Sequence, residues 1–135
     1  ASFIQSFARV GLVPDAGGSW LLPRLIGEAR AKALAMTAEP LGAETAAQWG
    51  LIWRAVPDAD LMVEARALAD RLAAGSTGGL AAAKALIQDA AGRDLDAQLA
   101  AEAVVQKARG ESADYAEGVR AFLNKRAPDF RGAGG

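Results

Sequence analysis

Apolar residues recur at helical spacing along most of this 135-residue chain. Trp20, Leu21, Leu22, Leu25 and Ile26 follow a glycine-rich turn and predict a helix that starts near Gly17, bends or breaks at Pro23 and stops at Gly27. Residues 28–38 are rich in Ala, with Leu34 and Met36, and residues 43–49 form a short amphipathic helix that Gly50 can close in a left-handed cap. Leu51 to Val56 is β-prone and bounded by Gly50 and Pro57, which makes it the best strand candidate. The mixed stretch from Phe3 to Val13 fits either a short strand or a turn. Beyond Asp58 the pattern is helical throughout. Leu61, Ala65, Leu68 and Leu72 share one face of a helix over 60–73, and Gly75 to Gly79 break it. Leu80, Ala83, Leu86 and Ile87 mark a helix over 80–91. Asp94 and Ser112 are placed to cap helices over 94–110 and 112–125, the last with Val119, Phe122 and Leu123 on its apolar side. Residues 130–135 read as a disordered tail.

The predicted class is mainly α with one or two short strands, in two regions, residues 1–58 and 59–129. Thirty-four alanines, the best helix formers, point the same way. Strands this few cannot close a sheet, and the helical faces need partners, so the chain reads as incomplete alone and as a self-associating one. A composition of 52% apolar and 23% charged residues is enough for a real core. Fifteen Lys and Arg against sixteen Asp and Glu leave a net charge of −1, which excludes a global pull toward nucleic acid or an anionic membrane. No apolar run reaches the ~20 residues of a membrane span. The first residues carry neither an initiator Met nor a signal-peptide pattern, so the expectation is a soluble, cytoplasmic protein that begins within a longer one.

The absence of Cys and His narrows the chemistry. It removes disulfides, thiolate catalysis, metal sites built on those ligands and every scheme that runs through imidazole. Carboxylates remain as proton carriers. Asp15 is the leading candidate, because Pro14-Asp15-Ala16-Gly17-Gly18 sets one carboxylate between a rigid Pro and two glycines at the mouth of a helix. A ligand can approach the backbone closely there, and Phe7, Trp20 and Leu21 would supply an apolar surround suited to general acid–base work. The competing reading is that Asp15 only caps the helix. A second signal is Phe122-Leu123-Asn124-Lys125-Arg126, where two cations complement a helix C-terminus and could equally grip a phosphate. Trp49 and Trp53 read as packing residues.

The order of motifs resembles the enoyl-CoA hydratase/isomerase family, also called crotonases. Gly11 to Gly27 is similar to the family signature G-x-x-P-x-x-G-G-(T/S)-x-x-L-x-R-x-x-G. Ala43 to Ala47 with Trp49-Gly50-Leu51-Ile52, then Ala83-Lys84, then Glu117-Gly118-Val119-Arg120-Ala121-Phe122-Leu123-Asn124-Lys125-Arg126 resemble its later motifs, so the likeness covers essentially the whole chain. Pro14 to Trp20 and Ser112-Ala113-Asp114-Tyr115 are most similar to the branch that isomerises ring epoxides in phenylacetate degradation.

The resemblance implies a β-β-α superhelix, of which residues 1–58 are the end of the core and residues 59–129 an oligomerisation region forming trimers or hexamers. It implies an acyl-CoA substrate, coenzyme A being part of that substrate rather than a separate cofactor, with no metal, nucleic acid or membrane partner. The family's oxyanion-hole donors, main adenine loop and first hydratase glutamate belong to an N-terminal half that this chain does not contain. Where hydratases carry their second glutamate, this sequence has Gln5-Ser6-Phe7. Where isomerase members carry an aspartate, it has Asp15. A proton moved between two carbons needs only one carboxylate, acting as base and then acid, so isomerisation is favoured over hydration. The resemblance also implies substrate contacts at Phe7, Gly17, Trp20, Phe122 and Lys125, the last reaching a CoA phosphate across a subunit boundary. Two alternatives stand beside this reading: a hydratase that uses an upstream glutamate, and an inactive helical oligomerisation fragment.

Overall fold

The chain's structure, a computed structural model, describes residues 1–130, so the expected tail lies, from residue 131 on, outside the described residues. It divides into two units, Ala1–Asp60 and Leu61–Gly135.

In the first unit, strands β1 (Ser2–Phe3) and β2 (Leu41–Gly42) pair antiparallel, Phe3 opposite Leu41. A 3₁₀ turn spans Ser6–Val10, and helices α1 (Gly18–Ile26), α2 (Glu28–Thr37) and α3 (Ala43–Trp49) follow. Their spacing builds one core: Leu22 and Ile26 from α1, Ala31 and Leu34 from α2, Leu41 from β2 and Ala46 from α3. Of the bend or break expected at Pro23, the break does not occur. An interior proline costs ~3 kcal/mol, whereas burying Leu22 and Ile26 on either side of it returns about 2 kcal/mol each, and the helix runs on to Ile26.

Leu51 to Val56 is not a strand either. The Leu51 amide donates to the Ala46 carbonyl at 2.9 Å and the Ile52 amide to the same oxygen at 3.4 Å, so these groups close the end of α3 instead of joining a ladder. Gly50, at φ 82°, makes that left-handed closure, as its position predicts. Leu51, Ile52 and Trp49 pack against the core. Trp53 does not: it is 70% exposed, with the Arg54 guanidinium over its ring. Arg9 donates to the Ala38 carbonyl at 2.6 Å and so ties the 3₁₀ turn to the C-terminus of α2.

The second unit holds α4 (Leu61–Ala73), α5 (Thr77–Ala90), α6 (Leu95–Gly110) and α7 (Ala113–Leu123). The expected break at Gly75 to Gly79 is shorter than the glycines suggest, because Ser76 caps α5 by accepting from the Gly79 amide and draws Thr77, Gly78 and Gly79 into its first turn. Asp94 caps α6 through the Ala97 amide at 2.8 Å, and Ser112 caps α7 through the Tyr115 amide at 3.2 Å, both as predicted. Ser76 Oγ also donates to the buried Asp114 carboxylate, which links the N-termini of α5 and α7. The expected apolar face of α4 exists, yet no residue of α4, α5 or α6 is buried.

Candidate active site

The turn that carries Asp15 is built by backbone chirality. The Gly18 amide donates to the Asp15 carbonyl at 2.7 Å. The two residues between them, Ala16 and Gly17, both have positive φ, 48° and 82°. That sign pattern is the one type I′ turns use, and it explains glycine at position 17, since a side chain is strained in the left-handed region. Helix α1 starts at the next residue.

The geometry separates the two readings of Asp15. The N-cap of α1 is Gly17, which has no side chain to accept from the first-turn amides, so Asp15 is not the helix cap. Its carboxylate is exposed and has no side-chain partner among the described residues. The expected apolar surround is only partly built here. Phe7 is half-buried on the 3₁₀ turn, whose end is closed by the Leu12 amide donating to the Phe7 carbonyl at 3.0 Å. Trp20, on the first turn of α1, is 45% exposed, and the Arg24 guanidinium covers one face of its ring at 3.6 Å from the centroid. Arg24 also donates to the Trp20 carbonyl at 2.9 Å. The tryptophan is therefore partly exposed, with a cation stacked on its ring. Sequence reasoning missed this stack, although the i, i+4 spacing of Trp20 and Arg24 signals it.

Phe122 and Lys125 belong to the second unit, at the end of α7. Phe122 is 83% exposed. Lys125 sits just past the helix at φ 50°. Its amide donates to the Phe122 carbonyl at 3.1 Å and the Arg126 amide to the Ala121 carbonyl at 3.1 Å, the bond pair of a Schellman closure with Lys125 in the place that glycine usually takes.

Beside this closure lies a carboxylate that the sequence pattern did not single out as functional. Glu117 accepts from Arg126 Nη1 at 2.6 Å and Nη2 at 3.1 Å, from Arg120 Nη1 at 3.3 Å and from the Asp129 amide at 2.9 Å. These donors, Arg126 foremost and then the Asp129 amide, hold the Glu117 carboxyl down at about 2. Arg126 is thus paired, and Lys125 has no ion-pair partner among the described residues. The two adjacent cations, equivalent in sequence, are not equivalent in the fold.

The sequence matches the enoyl-CoA hydratase/isomerase family over residues 1–133, and the chain belongs to that family. It is 52% identical over 132 residues to a Rhodobacter capsulatus protein called "Probable enoyl-CoA hydratase", covering 98% of this chain and 51% of that one. Identity to the 1,2-epoxyphenylacetyl-CoA isomerase of Escherichia coli is 48% over 132 residues, 98% of this chain and 50% of the relative. Among solved structures, the enoyl-CoA hydratase of Bacillus anthracis superposes with a TM-score of 0.91 at 32% identity, over 98% of this chain and 51% of that chain. The chain spans about half the length of the curated relatives it matches.

Proposed function

We propose that this chain is the C-terminal part of an acyl-CoA isomerase in which Asp15 moves a proton between two carbons of a thioester enolate. The observation that carries the reading is the Asp15 turn: a carboxylate freed from helix capping, presented on a left-handed turn that only glycine suits at position 17. Gln5-Ser6-Phe7 adds that no second carboxylate stands where a hydratase would need one. As base, Asp15 takes a proton from one carbon and leaves the electron pair delocalised onto the thioester oxygen; as acid, it returns the proton to another carbon. Donors to the enolate oxygen would come from a part of the protein outside this chain. Gly17 allows close approach of the substrate, while Phe7, Trp20 and Phe122 give it apolar contacts and Lys125 meets a CoA phosphate. The substrate is an acyl-CoA whose double bond shifts or whose ring epoxide rearranges, in cytoplasmic degradation of phenylacetate or a related aromatic acid, and the 48% identity to a 1,2-epoxyphenylacetyl-CoA isomerase supports the epoxide. Coenzyme A enters only as part of the substrate, and the enzyme works as a homotrimer or hexamer through the helices of the second unit.

The second reading, enoyl-CoA hydration, is favoured by the name of the relative at 52% identity. One substitution separates the two. In the full-length protein, Asp15→Asn keeps the shape and removes the proton carrier, so kcat for isomerisation should fall at least ~10²-fold with affinity for the CoA thioester within about twofold. Undiminished isomerase turnover in Asp15→Asn would end the proposed mechanism, and water addition that survives the substitution would favour the hydratase.

A further inference from the structure

Three cations crowd the end of α7, and one carboxylate sorts them. Glu117 is only 15% exposed, although its neighbour on the helix, Arg120, is 66% exposed. Its four hydrogen bonds take up Arg126 through both terminal nitrogens, take up Arg120 through one and fasten the backbone at Asp129. Two consequences follow from this geometry. The segment after the helix is folded back on α7 and held at two points, Arg126 and Asp129, on either side of Pro128. Lys125, immediately before the first of these points, is locked at φ 50°, a conformation a lysine does not favour by itself. Strain of this kind persists only where the surroundings over-determine it, and the Glu117 network does so here.

We propose that Glu117 is a positioning residue for Lys125: by pairing Arg126 and pinning the segment that follows, it leaves Lys125, among the described residues, as the cation of the helix end without an ion-pair partner, and it fixes the backbone from which that side chain reaches an anion. The inference rests on the reading of Lys125 as a CoA phosphate contact. It explains why the neighbouring arginine, with its bidentate fork, is not the phosphate ligand despite being the better-shaped residue for one: that fork is already occupied by a carboxylate.

The test uses the full-length enzyme and free coenzyme A as the probe, with Kd measured by calorimetry and kcat and KM by turnover. Lys125→Ala should weaken coenzyme A binding about tenfold, in the range of a lost charge-assisted contact. Glu117→Gln, which keeps the shape, should weaken it about three- to tenfold and raise KM in parallel, with kcat within about twofold. Arg126→Gln breaks the same pair from the other side and should do the same, which guards against a folding defect peculiar to position 117. The decisive variant is the double substitution Glu117→Gln with Lys125→Ala. If Glu117 acts through Lys125, it binds no more weakly than Lys125→Ala alone. Additive losses, or unchanged or tighter binding in Glu117→Gln because a released Arg126 meets the phosphate, would overturn the positioning role while leaving Lys125 in place. Unchanged binding in Lys125→Ala would instead overturn the reading on which the inference rests.

Discussion

At Lys125 the residue and its backbone disagree: a Schellman closure calls for glycine or asparagine, and this chain has a long cation there at φ 50°. Lys125→Gly should therefore stabilise the fold, by roughly 0.5–1 kcal/mol, while discarding the charge. Denaturant unfolding checks this directly, and a loss of stability would mean that the lysine stem contributes packing that outweighs the strain. Ala16, at φ 48° beside Asp15, is a second such residue. Ala16 adjoins, and Lys125 is, a residue proposed above to meet the substrate, and functional sites are where conformational strain tends to be kept. The Asp15 motif could be read from the sequence as soon as its Pro and glycines were seen, but its competing role as a cap could not be dismissed there. Which residue becomes the N-cap depends on where the chain turns, and Ala16 and Gly17 both turning left-handed moves the cap past Asp15.

Among the helices, those with their own punctuation matched expectation best. Asp94 and Ser112 cap α6 and α7, and Gly50 closes α3, because capping depends on residues within a few positions of each other. At Pro23 and at Leu51 to Val56 packing overrides the local signal: core burial carries α1 through its proline, and the Leu51 and Ile52 amides are bonded to the Ala46 carbonyl and so are not free to join a ladder. The strap from α7 to Asp129 belongs to this scale too and has a definite pH dependence. Ionised Glu117 is favoured by its donors, with its carboxyl lowered from 4.5 to about 2. A lowered acid stabilises the fold fully above its unfolded value, so the strap is complete above about 4.5 and is lost as pH falls toward 2. Hydrogen exchange at the Asp129 amide should rise over that interval beyond the intrinsic rate change, and Glu117→Gln should abolish the pH-dependent component. Protection at Asp129 that does not vary between pH 5 and 2 would contradict the assignment.

For the molecule as a whole, the second unit has broad apolar faces and a small interior, with Asp114 and Ala121 of α7 buried. Leu61, Ile87, Leu95, Leu99, Val104 and Phe122 are each more than half exposed, and no helix among the described residues is long and apolar enough to cross a membrane. Exposed apolar surface on this scale marks a contact face. Full-length protein should therefore sediment as a homo-oligomer at micromolar concentration, and Ile87→Glu or Val104→Glu should shift it toward monomer. A compact monomer that binds no apolar dye would count against it. What the sequence determined by itself was local: helix spacing, caps, the Asp15 turn and the family motifs, all set by residues close along the chain and by backbone sterics. Tertiary structure alone decided that α1 runs through Pro23, that Leu51 and Ile52 go to the core while Trp53 stays out, and that among the described residues Arg126 has an ion-pair partner and Lys125 has none. Those outcomes are settled by burial against the assembled core and by which donor the folded backbone brings to a carboxylate, and propensity and spacing along the chain carry no record of either.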